Sequence, residues 1–292
     1  MTADFRSAQQ LIHTDLLLGM VDIPRCRASA KLDVTSSTAV EFTAESFAIA
    51  KEVAATPSTP NQRAVLSSTT AAFVAVKQSD LAERGSLETG FRSEKVKRLA
   101  ELRERHDREC EHCTNARGHI QTVFGEGNPD ADIFFVGEAP GETEDQIGRP
   151  FVGVAGQKLD EMIRAMGLRR EDCYIANVLK SRPPENRSPL PAEIERCGPY
   201  LVDQILIVNP KVIVTLGGPA TQLLLKVDVG ISKLRGVWAE WIPPNGIRRG
   251  SIPLMPTYHP AYLLRNYTVE TRTEIWSDLK AVTRRVTQSS SE

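Results

Sequence analysis

Four short apolar runs constrain the fold more than any other feature of the chain. ADIFFVG (131–137), DCYIANV (172–178), KVIVTLG (211–217) and SIPLMPTYH (251–259) are rich in β-branched and aromatic residues. They are close to continuously apolar, the pattern of strands buried on both faces. Between them stand segments with helical spacing: AGQKLDEMIRAMG (155–167), PAEIERCGPYLVDQILIVN (191–209) and GPATQLLLK (218–226). Doubly covered strands separated by helices predict an α/β fold, a three-layer α/β/α sandwich around a central four-stranded parallel sheet. Ligands of such sheets bind beyond the carboxyl ends of the strands. Three loops therefore come under scrutiny: those after FFVG, after IANV and after LMPTYHP.

Composition narrows the function classes. With 292 residues, 41% of them hydrophobic, the chain can bury a real core, and its net charge of −1 provides no global pull toward polyanions. Nucleic-acid binding would have to rest on a local patch. The longest apolar runs, such as AAFVAV at 71–76, are too short to span a bilayer, and MTADFRSAQQ lacks a secretion-signal pattern. A cytoplasmic monomer with no membrane partner is the expectation. Five cysteines, an odd number, argue against a disulfide framework and leave metal binding, catalysis or burial.

The loop after the first strand, GEAPGETEDQIGRPFVGVAGQKLD, is neither a dinucleotide fingerprint nor a Walker loop, and its carboxylates would repel phosphate. Taken with NVLKSRPPENR (177–187) and PTYHPAYLLRN (256–266), it resembles the three active-site motifs of the uracil-DNA glycosylase superfamily. The similarity is closest to the iron–sulfur-containing family 4 enzymes and covers residues 94 to about 285. It implies a hydrolase that removes uracil from DNA in base excision repair and leaves an abasic site. The alternative is a catalytically weak protein of the same superfamily that binds uracil-containing or damaged DNA.

The resemblance also assigns roles. Phe151 is the stacking platform for a flipped base, and the Asn177 amide reads the edge of uracil. His259 donates toward uracil O2, where negative charge collects as the bond breaks. Glu138, Glu144 and Asn186 occupy catalytically important positions of this branch, with the general base left open among them. Ala139 stands where the best-known branch carries its water-activating aspartate. Leu263 lies where related enzymes wedge an apolar side chain into the vacated stack, and Arg265 is placed to grip a phosphate. Glu142 and Asp145 read as solvated or capping residues, and Lys180, Arg182 and Arg187 as local positive charge for DNA.

The family's [4Fe–4S] cluster uses a C-x-x-C pair and two later cysteines. Cys110, Cys113 and Cys197 match three of these positions, while Ser181 replaces the fourth cysteine. The resemblance thus implies a cluster that is labile or incomplete, because a hydroxyl is a poor substitute for a soft thiolate. A zinc site from Cys110, Cys113, Cys197 and His112 is the other reading; His13, His106, His112 and His119 show no context comparable to that of His259. The expected organisation is a short N-terminal helix (1–26), a disordered linker (27–92), the glycosylase-like domain (93–286) and a flexible tail (287–292).

Overall fold

The computed structural model describes residues 90–244 and 250–289. The readings of 1–26 as a helix and of 27–89 as a linker lie outside the described residues, and residues 90–92, expected as linker, are helical. A helix across residues 90–109 (α1) leads into the short α2 (Glu111–Asn115). The sheet and its helices follow in order: β1 (Glu126–Gly127), β2 (Ile133–Gly137), α3 (Glu142–Ile147), α4 (Val154–Ala165), β3 (Tyr174–Asn177), α5 (Pro191–Val208) and β4 (Val212–Leu216). Then come α6 (Gly218–Leu225), α7 (Ile231–Leu234), β5 (Ala239–Trp241), β6 (Ile252–Thr257), α8 (Pro260–Arg265) and α9 (Val269–Ser289).

The strand order is β1-β3-β2-β4-β6-β5. The four central strands are parallel, as the apolar runs predict. Two short antiparallel strands, β1 and β5, close the edges and were not anticipated.

Alternation along the strands divides the core into two. On β2, Ile133 and Phe135 face one side, where they pack with Leu159, Met162 and Ile163 of α4 and with Ile275, Leu279 and Val282 of α9. Phe134 and Val136 face the other side and meet Leu201 and Ile205 of α5 and Leu224 of α6. Helices therefore cover both faces, and the three-layer sandwich follows from strand periodicity. Each such side chain, fully buried, contributes about 1.5–3 kcal/mol. No described helix is long and apolar enough to cross a membrane.

The topology itself selects a site. From β2 the chain moves to β3 on one side, then crosses to β4 on the other, so the connections diverge at the carboxyl end of β2. Such a switch point leaves a crevice in doubly wound sheets.

α9 was missed by the sequence reading, although Ile275, Trp276, Leu279 and Val282 fall on one helical face among many charges. It continues through Ser289, so residues 287–289 are helix and not tail. A polar knot fixes it to the sheet. Asp278, 2% exposed, accepts from Thr257 Oγ1 of β6 (2.7 Å) and from Arg235 Nη2 (2.5 Å). Removing one partner of a buried pair leaves the other uncompensated. Asp278→Ala should therefore destabilise the protein by about 3 kcal/mol and lower the melting temperature by roughly 10 °C. An unchanged melting curve would show that this knot holds nothing.

Candidate active site

The register of β2 and β3 places Gly137 directly beside Asn177. A Cβ built at Gly137 would overlap both Asn177 Oδ1 and the tip of the Phe151 ring. The missing side chain is thus what lets an amide and an aromatic ring converge at the end of β2. His259 enters the same corner from the end of β6, its ring centroid 5.6 Å from that of Phe151 and tilted by 34°. Gly217, at the end of β4, passes close beneath it: a Cβ there would stand 3.2 Å from His259 Cβ. Phe151, Asn177 and His259, far apart in the chain, are therefore neighbours.

Asn177 is 1% exposed, and its Oδ1 has no hydrogen-bond partner among the described residues. A buried amide oxygen without a donor costs about 1–3 kcal/mol, which a ligand N–H would recover.

Phe151 sits in a strained backbone conformation, with φ +50°. Three features hold it there. Glu144 Oε1 accepts from the backbone N–H groups of Val152 (2.8 Å) and Gly153 (2.7 Å), the latter being the N-cap of α4. Arg170 donates to the Pro150 and Phe151 carbonyls while paired with Asp160 and Glu126. Gly156 lets the Phe151 carbonyl lie against α4, where a Cβ would collide with it. Glu144 is therefore a positioning residue of the loop, and Arg170 is one that the sequence reading missed.

His259 caps α8: its Nδ1 accepts from the backbone N–H of Ala261 at 3.1 Å. A ring nitrogen that accepts carries a lone pair, so in the neutral ring the proton resides on Nε2. Burial, reinforced by the positive charge of Arg265, pushes the His259 pKa down to about 4. At neutral pH the ring is an uncharged donor through Nε2.

Glu138 follows Gly137 and is half-buried. Burial raises its pKa above the usual carboxylate value, against a hydrogen bond with the Ser188 side chain that lowers it. Ala139 packs against the core on the α5 side of the sheet. Asn186 lies on an exposed turn, its Oδ1 accepting from Arg182 Nε at 2.8 Å.

The other loop acids divide by geometry. Glu142 lies 3.8 Å from Arg182 at the surface. Asp145, expected to be solvated or capping, is buried, and its Oδ1 accepts from the N–H groups of Ile120 and Gln121.

Three assignments need correction. Leu263 is 1% exposed and packs in the core, because the phase set by Pro260 at the start of α8 turns it inward. The exposed apolar side chain of this helix is Leu264, followed by the exposed Arg265. Lys180 is fully buried, donating to Asn177 O (2.8 Å) and Gln204 Oε1 (2.6 Å), and offers no charge to a DNA surface. His106 does have a context. Its ring and the sulfurs of Cys110, Cys113 and Cys197 form a buried group whose ligand atoms all lie within 4.8 Å of one another.

Comparisons with known proteins identify the family. Residues 124–280 match the family model described as the uracil DNA glycosylase superfamily. The chain belongs to that superfamily. A type-4 uracil-DNA glycosylase from Thermotoga maritima is 46% identical over 185 residues, covering 62% of this chain and 92% of the relative. One from Archaeoglobus fulgidus is 44% identical over 177 residues, 59% of this chain and 86% of the relative. A type-5 uracil-DNA glycosylase from Pyrobaculum aerophilum is 30% identical over 167 residues, 51% of this chain and 71% of the relative.

The His/Cys group can hold a metal, but its fit to the four-iron cluster implied by family resemblance is poor. Ser181, at the fourth cysteine position, offers a hydroxyl in place of a thiolate, and its Oγ lies 3.2 Å from His112 Nε2. Terminal thiolates of a four-iron cube each ligate a different iron, and so stand farther apart than this group allows.

The state of His259 is directly measurable. Because its folded pKa of about 4 lies below the ordinary 6.5, the unfolded chain binds a proton in that window that the folded chain does not. Its contribution to stability is complete above pH 6.5 and declines as pH falls toward 4. Nitrogen-15 NMR should show the Nε2–H neutral tautomer from pH 8 down to about 5. Protonation near pH 6.5, or the Nδ1–H tautomer, would contradict the geometry.

Proposed function

We propose that this protein hydrolyses the N-glycosidic bond of uracil in DNA, releasing the base and leaving an abasic site for repair. The unpartnered Asn177 Oδ1 beside the Phe151 ring, which in turn neighbours His259 at the switch point of the sheet, carries this reading. Uracil presents an N–H at N3 flanked by carbonyl oxygens. The Asn177 oxygen accepts from N3–H while its amide nitrogen donates to O4. Cytosine offers an acceptor at N3 and a donor at C4, so both bonds fail, and unpaired groups of this kind support discrimination of ~10⁴-fold or more. The base reaches this corner only by leaving the helix stack, at a cost of a few kcal/mol. Phe151 then supports its face.

As the C1′–N1 bond breaks, its electron pair moves onto the uracil ring and charge builds at O2. His259, neutral with its proton on Nε2, donates a hydrogen bond to O2 and leaves its charge state unchanged. A water oxygen bonds to C1′. Of the acids that the resemblance left open, Glu138 is assigned to orient that water and receive its proton, since it is half-buried with a raised pKa and so a stronger base than an ordinary carboxylate. Glu144 and Asn186 act through loop geometry, Glu144 by fixing the Phe151 turn. Arg265 and Leu264 form the exposed edge toward DNA, replacing the buried Leu263 in the wedge role.

The purified protein should render uracil-containing oligonucleotides alkali-labile and release free uracil. His259→Ala should slow single-turnover cleavage by ~10²–10³ with DNA affinity little changed. Asn177→Asp should lose uracil recognition or admit cytosine. Intact DNA at high protein concentration, bound but uncleaved, would leave a binding protein and sink the hydrolase reading. Wild-type rates in either variant would refute that residue's role.

A further inference from the structure

We propose that His106, Cys110, Cys113 and Cys197 hold a single tetrahedral metal ion of the zinc type, with His106 replacing the ligand that position 181 does not supply. Spacing along the chain builds half of the site. His106 lies in the last turn of α1, where Cys110 N donates to His106 O at 2.9 Å, and Cys110, itself extended, is the N-cap of α2, which carries Cys113, so the junction of the two helices brings the three together. Cys197 arrives from α5.

Two of the spacings come close to those around one ion. Cys113 Sγ lies 3.7 Å from Cys197 Sγ and 3.3 Å from His106 Nε2. Around one zinc, with bonds of about 2.3 Å to sulfur and 2.0 Å to nitrogen, tetrahedral ligand atoms stand about 3.5–3.8 Å apart.

The environment is that of a metal ligand as well. Asp107 Oδ1 lies 2.8 Å from His106 Nδ1 and also accepts from Thr122 Oγ1 at 2.8 Å. A carboxylate only accepts, so Nδ1 carries the proton and Nε2 presents its lone pair toward the sulfurs. This carboxylate–histidine arrangement orients metal-binding imidazoles in general. The ring is held edge-on to Tyr200, with centroids 4.8 Å apart, and is fully buried.

Two further groups answer the charge. The Lys180 backbone N–H donates to Cys197 Sγ at 3.2 Å, and the buried Lys180 ammonium otherwise meets neutral acceptors, Asn177 O and Gln204 Oε1. A divalent ion with three thiolates and a neutral imidazole carries one negative charge, which that buried cation offsets. Ser181 is spoken for by His112, and the zinc set that included His112 gives way to the one with His106.

The test uses the full chain, produced with both iron and zinc in the medium. Elemental analysis should find about one zinc per chain and no acid-labile sulfide. Replacing zinc with cobalt should give tetrahedral d–d bands and thiolate charge transfer. His106→Ala should weaken metal affinity by at least ~10-fold and alter the d–d bands, while Ser181→Ala leaves both unchanged. If His106→Ala fails to fold, His106→Cys should still bind one ion and show stronger charge-transfer absorption. About four irons with matching sulfide would overturn the proposal, as would metal loss in Ser181→Ala with retention in His106→Ala. Uracil release, assayed on the same preparations, reports separately on the glycosylase reading.

Discussion

The absence of a side chain at Gly137 governs this site. β2 ends there, and the parallel register with β3 sets Asn177 alongside. A single methyl group would occupy the space now shared by the Asn177 oxygen and the Phe151 ring. The meeting of the Asn177 amide and the Phe151 ring depends on that close approach. The sheet creates the opportunity through its topology, since the connections from β2 and β3 diverge at this point. The carboxyl ends of β4 and β6 supply the opposite wall with Gly217 and His259.

Polar groups around the corner spend their bonding on geometry more than on chemistry. Glu144 closes the Phe151 turn, Asp145 ties the 120–121 segment to α3, and Arg170 clasps two carbonyls of a backbone that would otherwise relax from its positive φ. This is the pattern expected where strain is stored at a functional position and held by its surroundings. His259 shows the same economy: one backbone hydrogen bond caps a helix and fixes the tautomer that makes the ring a donor. Behind the site, Lys180 bonds the Asn177 carbonyl through its ammonium and Cys197 Sγ through its backbone N–H, so the His/Cys group and β3 share one buried connection.

Much of this was legible in the chain. The four apolar runs predicted the parallel strands because burial on both faces leaves a strong, continuous signal. β1 and β5 left none, being two and three residues long. α9 carried a readable face at 275, 276, 279 and 282, diluted by charges on its other sides. Leu263 was misplaced because a motif fixes spacing along the chain but not the rotation of the helix that begins at Pro260. His106 was passed over because the family pattern directs attention to cysteines. The spacing H-x-x-x-C-x-x-C was present all along, but the helix junction at Cys110 that brings the three together was not legible in it. Arg170 had no local signal, since its importance comes from partners at positions 126, 150, 151 and 160.

The most direct test of the account is single-turnover uracil release by Gly137→Ala. The added methyl must displace Phe151 or the Asn177 amide, so release should slow by at least ~100-fold, as expected when reacting groups are moved by about an ångström. Cooperative melting and unchanged metal content would confirm that the fold survives. A wild-type rate in a folded Gly137→Ala protein would contradict the claim that this missing side chain builds the site.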